Sequence, residues 1–255
     1  KARFSQPFFN AVSNGTLALQ LAYKVLGLKG EVITTPFSYV ATTSSLVWEG
    51  LKPVFADINP NTLNIDPISV EEKITEKTRA IVATHVYGNP CDIDALEAIA
   101  KKYGLKLIFD AAHAFDSTYK GKSIFQYGDI STVSFHATKL FHTIEGGGIF
   151  TKNEELRSKV YYAKNFGHHG EVEFKGVGIN SKLSEFNAAM GLVNLNYIEK
   201  ILNKRASVYK QYEDEINSDI INFQKTDSKG TSNYSYCPVI FKNEHSLLKA
   251  RSVLN

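Results

Sequence analysis

A chain of 255 residues, 43% hydrophobic and 22% charged, carries enough apolar material for one large core and a smaller appendage. Its formal net charge of +3, from 29 basic and 26 acidic residues well mixed along the sequence, argues against a nucleic-acid binder, and no stretch is apolar for long enough to span a membrane. Two cysteines, Cys91 and Cys237, and an opening Lys-Ala-Arg-Phe-Ser-Gln-Pro without an apolar core fit neither a disulfide scaffold nor a signal peptide, so a soluble, cytoplasmic protein is expected.

In chain order, Asn14-Gly15-Thr16 followed by Leu-Ala-Leu reads as a tight turn entering a helix. Glu31–Thr35 reads as a strand ended by Pro36, and Pro53–Ala56 as another. A helix is expected near Ser69, where Ser69 and Glu72 have capping-box spacing. Arg79–Thr84 is strand-like, and Ile93–Tyr103 is helix-like, with Asp92 as its N-cap and Gly104 just past its end. Strands over Lys106–Phe109 and Ile130–Phe135 follow, with helical patterning over Asn153–Phe166 and Leu183–Glu215. From about Ile220 a second α/β unit begins, with Tyr234–Phe241 and then a helix. The alternation predicts an α/β fold with a mostly parallel sheet covered by helices on both faces. Residues 1–215 form its large domain and 216–255 the start of a small one.

In such open sheets ligands sit outside the carboxyl ends of the strands. Asp110 stands at one such end, in Phe-Asp-Ala-Ala-His113, and Lys139 follows another, in Val-Ser134-Phe-His-Ala-Thr-Lys139. An amine, a carboxylate, hydroxyls and turn amides are the parts that hold pyridoxal phosphate. Lys139 would take the cofactor's aldehyde and Asp110 its ring nitrogen. Gly15 and Thr16, at a helix N-terminus, and Ser134 would bind the phosphate. Tyr39, with Phe37 as rival, would stack on the ring, and His113 would reach the phenolic oxygen. Each has a plainer reading: a solvated lysine, an aspartate capping the next turn, a generic helix cap, a strand serine, core aromatics, a satisfied core histidine. Gly146-Gly147-Gly148 allows either a close backbone approach or a flexible turn.

These runs, with Thr35-Pro-Phe-Ser-Tyr-Val-Ala-Thr42, Tyr87-Gly-Asn-Pro, Glu145-Gly-Gly and Gly178-Ile-Asn180-Ser-Lys-Leu-Ser-Glu-Phe-Asn-Ala-Ala189, resemble the DegT/DnrJ/StrS-type nucleotide-sugar aminotransferases from about residue 11 onward. The resemblance implies a fold type I pyridoxal 5'-phosphate enzyme with a seven-stranded type of sheet, working as a homodimer whose active sites are shared. It implies that Asn180 reaches the phosphate of the neighbouring subunit. It also implies L-glutamate as amino donor and a nucleotide-linked keto-6-deoxysugar as acceptor, for a cell-surface polysaccharide such as a lipopolysaccharide O-antigen or for a glycosylated metabolite. The Ala-Ala-His-Ala-Phe and Ala-Thr-Lys-Leu-Phe wording is similar to members acting on C4 of dTDP-4-keto-6-deoxyglucose, with 3-amination of a dTDP-3-keto sugar as the alternative. His113 departs from the glutamine of many members. The family also extends beyond both ends of this sequence, so the chain is expected to be a piece of a longer protein.

Three other readings compete. A sugar dehydratase on the same scaffold replaces the lysine by histidine, whereas position 139 is lysine. A non-catalytic relative would have lost Lys139 or Asp110, and both are present. A metal-dependent hydrolase would draw on Asp110, His113, His136 and His142, which requires these residues to converge.

Overall fold

Seven strands, β1 (Phe9–Val12), β2 (Glu31–Thr34), β3 (Lys52–Phe55), β4 (Thr78–Thr84), β5 (Lys106–Asp110), β6 (Ile130–Ser134) and β7 (Gly147–Thr151), form the central sheet of the computed structural model. The structure describes residues 2–6, 8–216 and 219–254. The spatial order is β1-β7-β6-β5-β4-β2-β3. β3, β2, β4, β5 and β6 run parallel, whereas β7 is antiparallel to both β6 and β1.

The period-two pattern of the strands divides the apolar residues between two cores. Val32, Ala80, Val82, Ile108, Ile130 and Ile149 face one side, where they meet Leu19, Leu21 and Tyr23 of α1 (Gly15–Val25), Leu46 of α2 (Val40–Trp48) and Leu156 and Val160 of α5 (Glu154–Ala163). Ile33, Ile81, Leu107, Phe109, Val133 and Phe150 face the other side, against Val70 of α3 (Pro67–Glu72), Leu96 of α4 (Ile93–Tyr103) and Phe125. Each fully buried Leu, Ile, Val or Phe contributes about 1.5–3 kcal/mol. Parallel strands buried on both faces need this double coat. α4 has the predicted bounds, with the Asp92 carboxylate accepting from Ala95 N at 3.2 Å and Gly104 left-handed at φ 66°.

Two expectations are corrected, and one choice between two readings is decided. The helix near Ser69 is capped three residues earlier by Asp66, which accepts from Ile68 N, because Pro67 presets the first helical φ; Ser69 instead accepts from Asp57 N. The helical stretch 183–215 is two helices, α6 (Glu185–Leu195) and α7 (Ile198–Glu215), separated at Asn196 and Tyr197. Gly147 and Gly148 belong to β7 and not to a turn. A Cβ on Gly147 would lie 2.6 Å from the Asn14 carbonyl carbon, so glycine there serves close backbone approach.

Past α7, Ile221–Phe223 pairs antiparallel with Val239–Phe241, and α8 (Glu244–Leu254) follows. Between them Asn233 donates to the carbonyls of His113 and Phe115, at 2.8 and 2.7 Å, and so ties this part to the segment after Asp110. Among the described residues no helix is long and apolar enough to cross a membrane.

His85, just after β4, is fully buried, with its ring stacked 4.7 Å from that of Phe109 and its Nδ1 accepting from Cys91 N. Burial pushes its pKa down to about 3, so the folded chain holds a neutral imidazole where the unfolded chain binds a proton. Stability is therefore lost as pH falls below the ordinary histidine value of 6.5, down to about 3. In thermal melts, His85→Gln is expected to lose less melting temperature than the parent between pH 6.5 and 4.

Candidate active site

The site begins with the clamp around Asn14 and Gly15. Asn14 caps α1 by accepting from Leu17 N at 2.8 Å, which leaves the first amides of the helix for another acceptor. A Cβ on Gly15 would lie 2.9 Å from Cβ of Ser134, at the end of β6. The helix N-terminus and the Ser134 side chain therefore stand against each other, with no room for a side chain between them. They open on a cavity of about 570 Å³ lined by Asn14, Gly15, Thr16, Tyr39, Asp110, His113, Ser134 and Lys139 among others.

Asp110 ends β5 and is buried. One carboxylate oxygen accepts from Ala112 N at 3.1 Å, the turn-capping bond, and the other accepts from Thr42 Oγ1 at 2.7 Å. Burial raises its pKa, while Thr42, the Ala112 amide and the charge of Lys139 pull it back down. Lys139 lies on the loop between β6 and β7 and is held below the usual ammonium range by burial, with Asp110 opposing. A lysine shifted toward its free amine beside a buried acid is a nucleophile in the making.

Tyr39 is the N-cap residue of α2 and is 73% exposed, which rules out core packing and leaves a ring face open on the cavity; Phe37 is less exposed, at 39%. His113 is not a satisfied core histidine: its buried Nδ1 has no hydrogen-bond partner among the described residues. Burial pushes its pKa to about 4, so the ring is neutral near neutral pH. Its ring lies parallel to that of Tyr87, centroids 6.2 Å apart, beside a second cavity of about 290 Å³ that shares Tyr39, Asp110 and Ala112.

Of the predicted residues Asn180 alone stands outside the large cavity. It is exposed and accepts from Lys182 Nζ at 2.7 Å. The four candidate metal ligands do not converge: among the described residues no group of three or more His, Cys, Asp or Glu could hold an ion. His136 instead pairs with Thr138, and the His142 ring accepts from Ile144 N. Sequence reasoning missed Thr42, Thr132 and Glu145 as residues of the site. Thr42 lies one helical turn after Tyr39, but nothing in that spacing shows that it meets Asp110.

Residues 4–254 match the DegT/DnrJ/EryC1/StrS aminotransferase family. The chain is 46% identical over 242 residues to a dTDP-4-amino-4,6-dideoxy-D-glucose transaminase of Shigella dysenteriae, a match covering 94% of this chain and 66% of that protein. The chain thus spans just under two thirds of that relative's length. DesI, crystallised in the presence of its TDP-sugar product, is 36% identical with a TM-score of 0.86, over 92% of this chain and 60% of DesI. Spr1654 of Streptococcus pneumoniae in its PLP-form is 26% identical with a TM-score of 0.89, over 97% of this chain and 72% of that one. With a match across nearly its whole length, the chain belongs to the DegT/DnrJ/EryC1/StrS aminotransferase family.

Proposed function

We propose that this chain carries the cofactor site of an aminotransferase that moves the amino group of L-glutamate to C4 of dTDP-4-keto-6-deoxyglucose. The observation that carries this reading is the meeting, in one cavity, of the half-buried amine of Lys139, the buried carboxylate of Asp110 and the free amides of α1. The C4 position and the dTDP carrier rest on the relative at 46% identity, whose name states that sugar.

Pyridoxal phosphate fits these residues. The Gly15–Ser134 clamp offers amide and hydroxyl donors in the space a side chain would fill, and the unpartnered His113 Nδ1 stands ready for an oxygen. When bound, the cofactor supplies an aldehyde that accepts and releases amines and a ring that withdraws electrons. Gly15, Thr16 and Ser134 would hold its phosphate, and Tyr39 would offer its ring a stacking face. Asp110 keeps the ring nitrogen protonated. His113, neutral, donates or accepts at the phenolic oxygen without adding charge. The Lys139 amine would meet the aldehyde and, when free, would be the base that takes up a proton at the α-carbon of glutamate and the acid that gives one up at C4 of the sugar.

The protein acts as a homodimer in this reading. Val47 and Trp48 of α2 and Phe186, Leu192 and Val193 of α6 are large apolar residues left exposed, Trp48 by 82% and Phe186 by 91%. A second copy settling on these residues would cover them. Asn180, outside its own cavity, serves the partner's phosphate. Two free cysteines, Cys91 buried and Cys237 half-buried, suit the reducing cytoplasm.

With pyridoxal phosphate the protein is expected to show a visible absorbance band that L-glutamate discharges with release of 2-oxoglutarate; Lys139→Ala shows neither, and normal turnover by that variant refutes the assignment. Co-expressed Lys139→Ala and Asn180→Ala chains are expected to regain activity that neither has alone, because one site of each mixed dimer is intact; absence of rescue places Asn180 in its own subunit's site. Asp110→Asn is expected to raise the melting temperature of the cofactor-free protein at pH 7 while weakening cofactor retention. The sign follows from the raised pKa of Asp110, whose ionised form destabilises the fold above the ordinary carboxylate range. The stabilisation should vanish in acid, where the parent carboxyl is neutral too.

A further inference from the structure

Thr42 does not end the hydrogen bonding behind Asp110. Its Oγ1 lies 2.7 Å from Ser38 Oγ, and Ser38 Oγ lies 3.1 Å from Thr84 Oγ1. The three hydroxyls come from three elements: Ser38 from the loop after β2, Thr42 from the first turn of α2, and Thr84 from the end of β4, in register with Asp110 on β5. Thr42 is fully buried and Thr84 is 6% exposed. None of the three is among the residues that hold the cofactor in the reading above.

Each hydroxyl has one proton to give. Thr42 gives its proton to the Asp110 carboxylate at 2.7 Å, so it can only accept from Ser38. Ser38 has then given its proton to Thr42 and can only accept from Thr84. The chain therefore has one direction, Thr84 to Ser38 to Thr42 to Asp110, for as long as Asp110 is ionised. A protonated Asp110 would donate instead and reverse every link. In a low-dielectric setting each link polarises the next, so the three hydroxyls act together on the charge at the end.

We propose that Ser38, Thr42 and Thr84 are positioning residues: a one-way hydroxyl chain that fixes the Asp110 carboxylate in orientation and in its ionised form, and so sets how firmly the cofactor's ring nitrogen is held. This rests on the reading that Asp110 takes the ring nitrogen. The chain works against the desolvation that burial imposes on Asp110. Unlike Lys139, which shares that task, it stays in place when the amine is engaged elsewhere. The other titratable groups around Asp110 are His113 in the same cavity and Tyr23 and Cys91 within its field.

The test titrates pyridoxal phosphate into the purified protein, following the visible band against cofactor concentration and against pH, with melting curves of the cofactor-free variants as the folding control. Thr42→Val removes the hydroxyl at nearly constant volume and is expected to weaken binding on the order of tenfold, the worth of a charge-assisted hydrogen bond. Its acid limb of cofactor retention should move to higher pH, since burial then acts on Asp110 with less opposition. Thr42→Ser restores both to near the parent values. Thr84→Val, two hydroxyls away from the carboxylate, is expected to weaken binding about twofold to threefold with a smaller shift of the same sign. Should Thr42→Val fail to fold, Ser38→Ala carries the test, with an expected loss between the other two. Parent-like affinity and pH limb in Thr42→Val, while Asp110→Ala loses the cofactor, overturn the chain and leave the role of Asp110 standing. Parent-like binding by Thr84→Val beside a weakened Thr42→Val reduces the chain to a single bond and also overturns it. Parent-like binding by Asp110→Ala removes the underlying reading, and the chain with it.

Discussion

Five adjacent parallel strands can be buried only when both faces of their sheet are covered, and that requirement organises this molecule. Each parallel strand must return by a crossover on one face or the other, so the carboxyl ends of β2, β4, β5 and β6 all emerge along the same edge. That edge receives Thr84, Asp110 and Ser134 as terminal or near-terminal residues of their strands. The antiparallel β7 brings the chain back beside β6 and, through Gly147, sets the Asn14–Gly15 turn against the same edge. The chemistry of the site is thus a by-product of how the apolar residues are shared between two cores.

The cavity opposes two costs against each other. Asp110 and Lys139 are both withdrawn from water, and each is thereby pushed toward its neutral form, yet each favours the charge of the other. Neither shift alone makes a catalyst. What distinguishes the site is that the acid is supported on its far side by neutral donors, Thr42 and the Ala112 amide, which leaves its near side free to act on a ligand. His113 adds an uncharged ring to this arrangement.

The fold was legible wherever a local rule decided the outcome. Asp92 and Gly104 bound α4 because an N-cap acceptor and a left-handed glycine act within one turn. Seven of the eight proposed site residues fell into one cavity, because strand ends and helix N-termini can be read from pattern. The failures have two causes. Ser69 lost its cap role to an Asp-Pro pair just upstream, a competition between two valid local signals. Gly147 and Gly148 were open to two readings because glycine is permissive, and only partners far away in sequence, the paired strands and the Asn14 backbone, decide for strand and close approach. Thr42 was passed over because its partner is a tertiary neighbour. Its importance is set by where α2 lands on the sheet, which no spacing in the sequence encodes.

The segment that carries Lys139 is closed at its base, where Ser134 pairs with Gly147 and Phe135 N donates to the Gly146 carbonyl at 2.8 Å. It is also clasped from outside. The amides of Asn187 and Asn194, two turns apart on α6, donate to the carbonyls of Glu145 and His142 at 2.8 and 2.9 Å. A lysine mounted on a loop fastened at its base and from outside has a restrained backbone, so its amine gains reach by rotation about its own four methylenes. The helix that does the fastening is the one whose opposite face presents Phe186 and Val193 to the outside. A load on that helix is therefore carried to the loop of Lys139 through the same two hydrogen bonds.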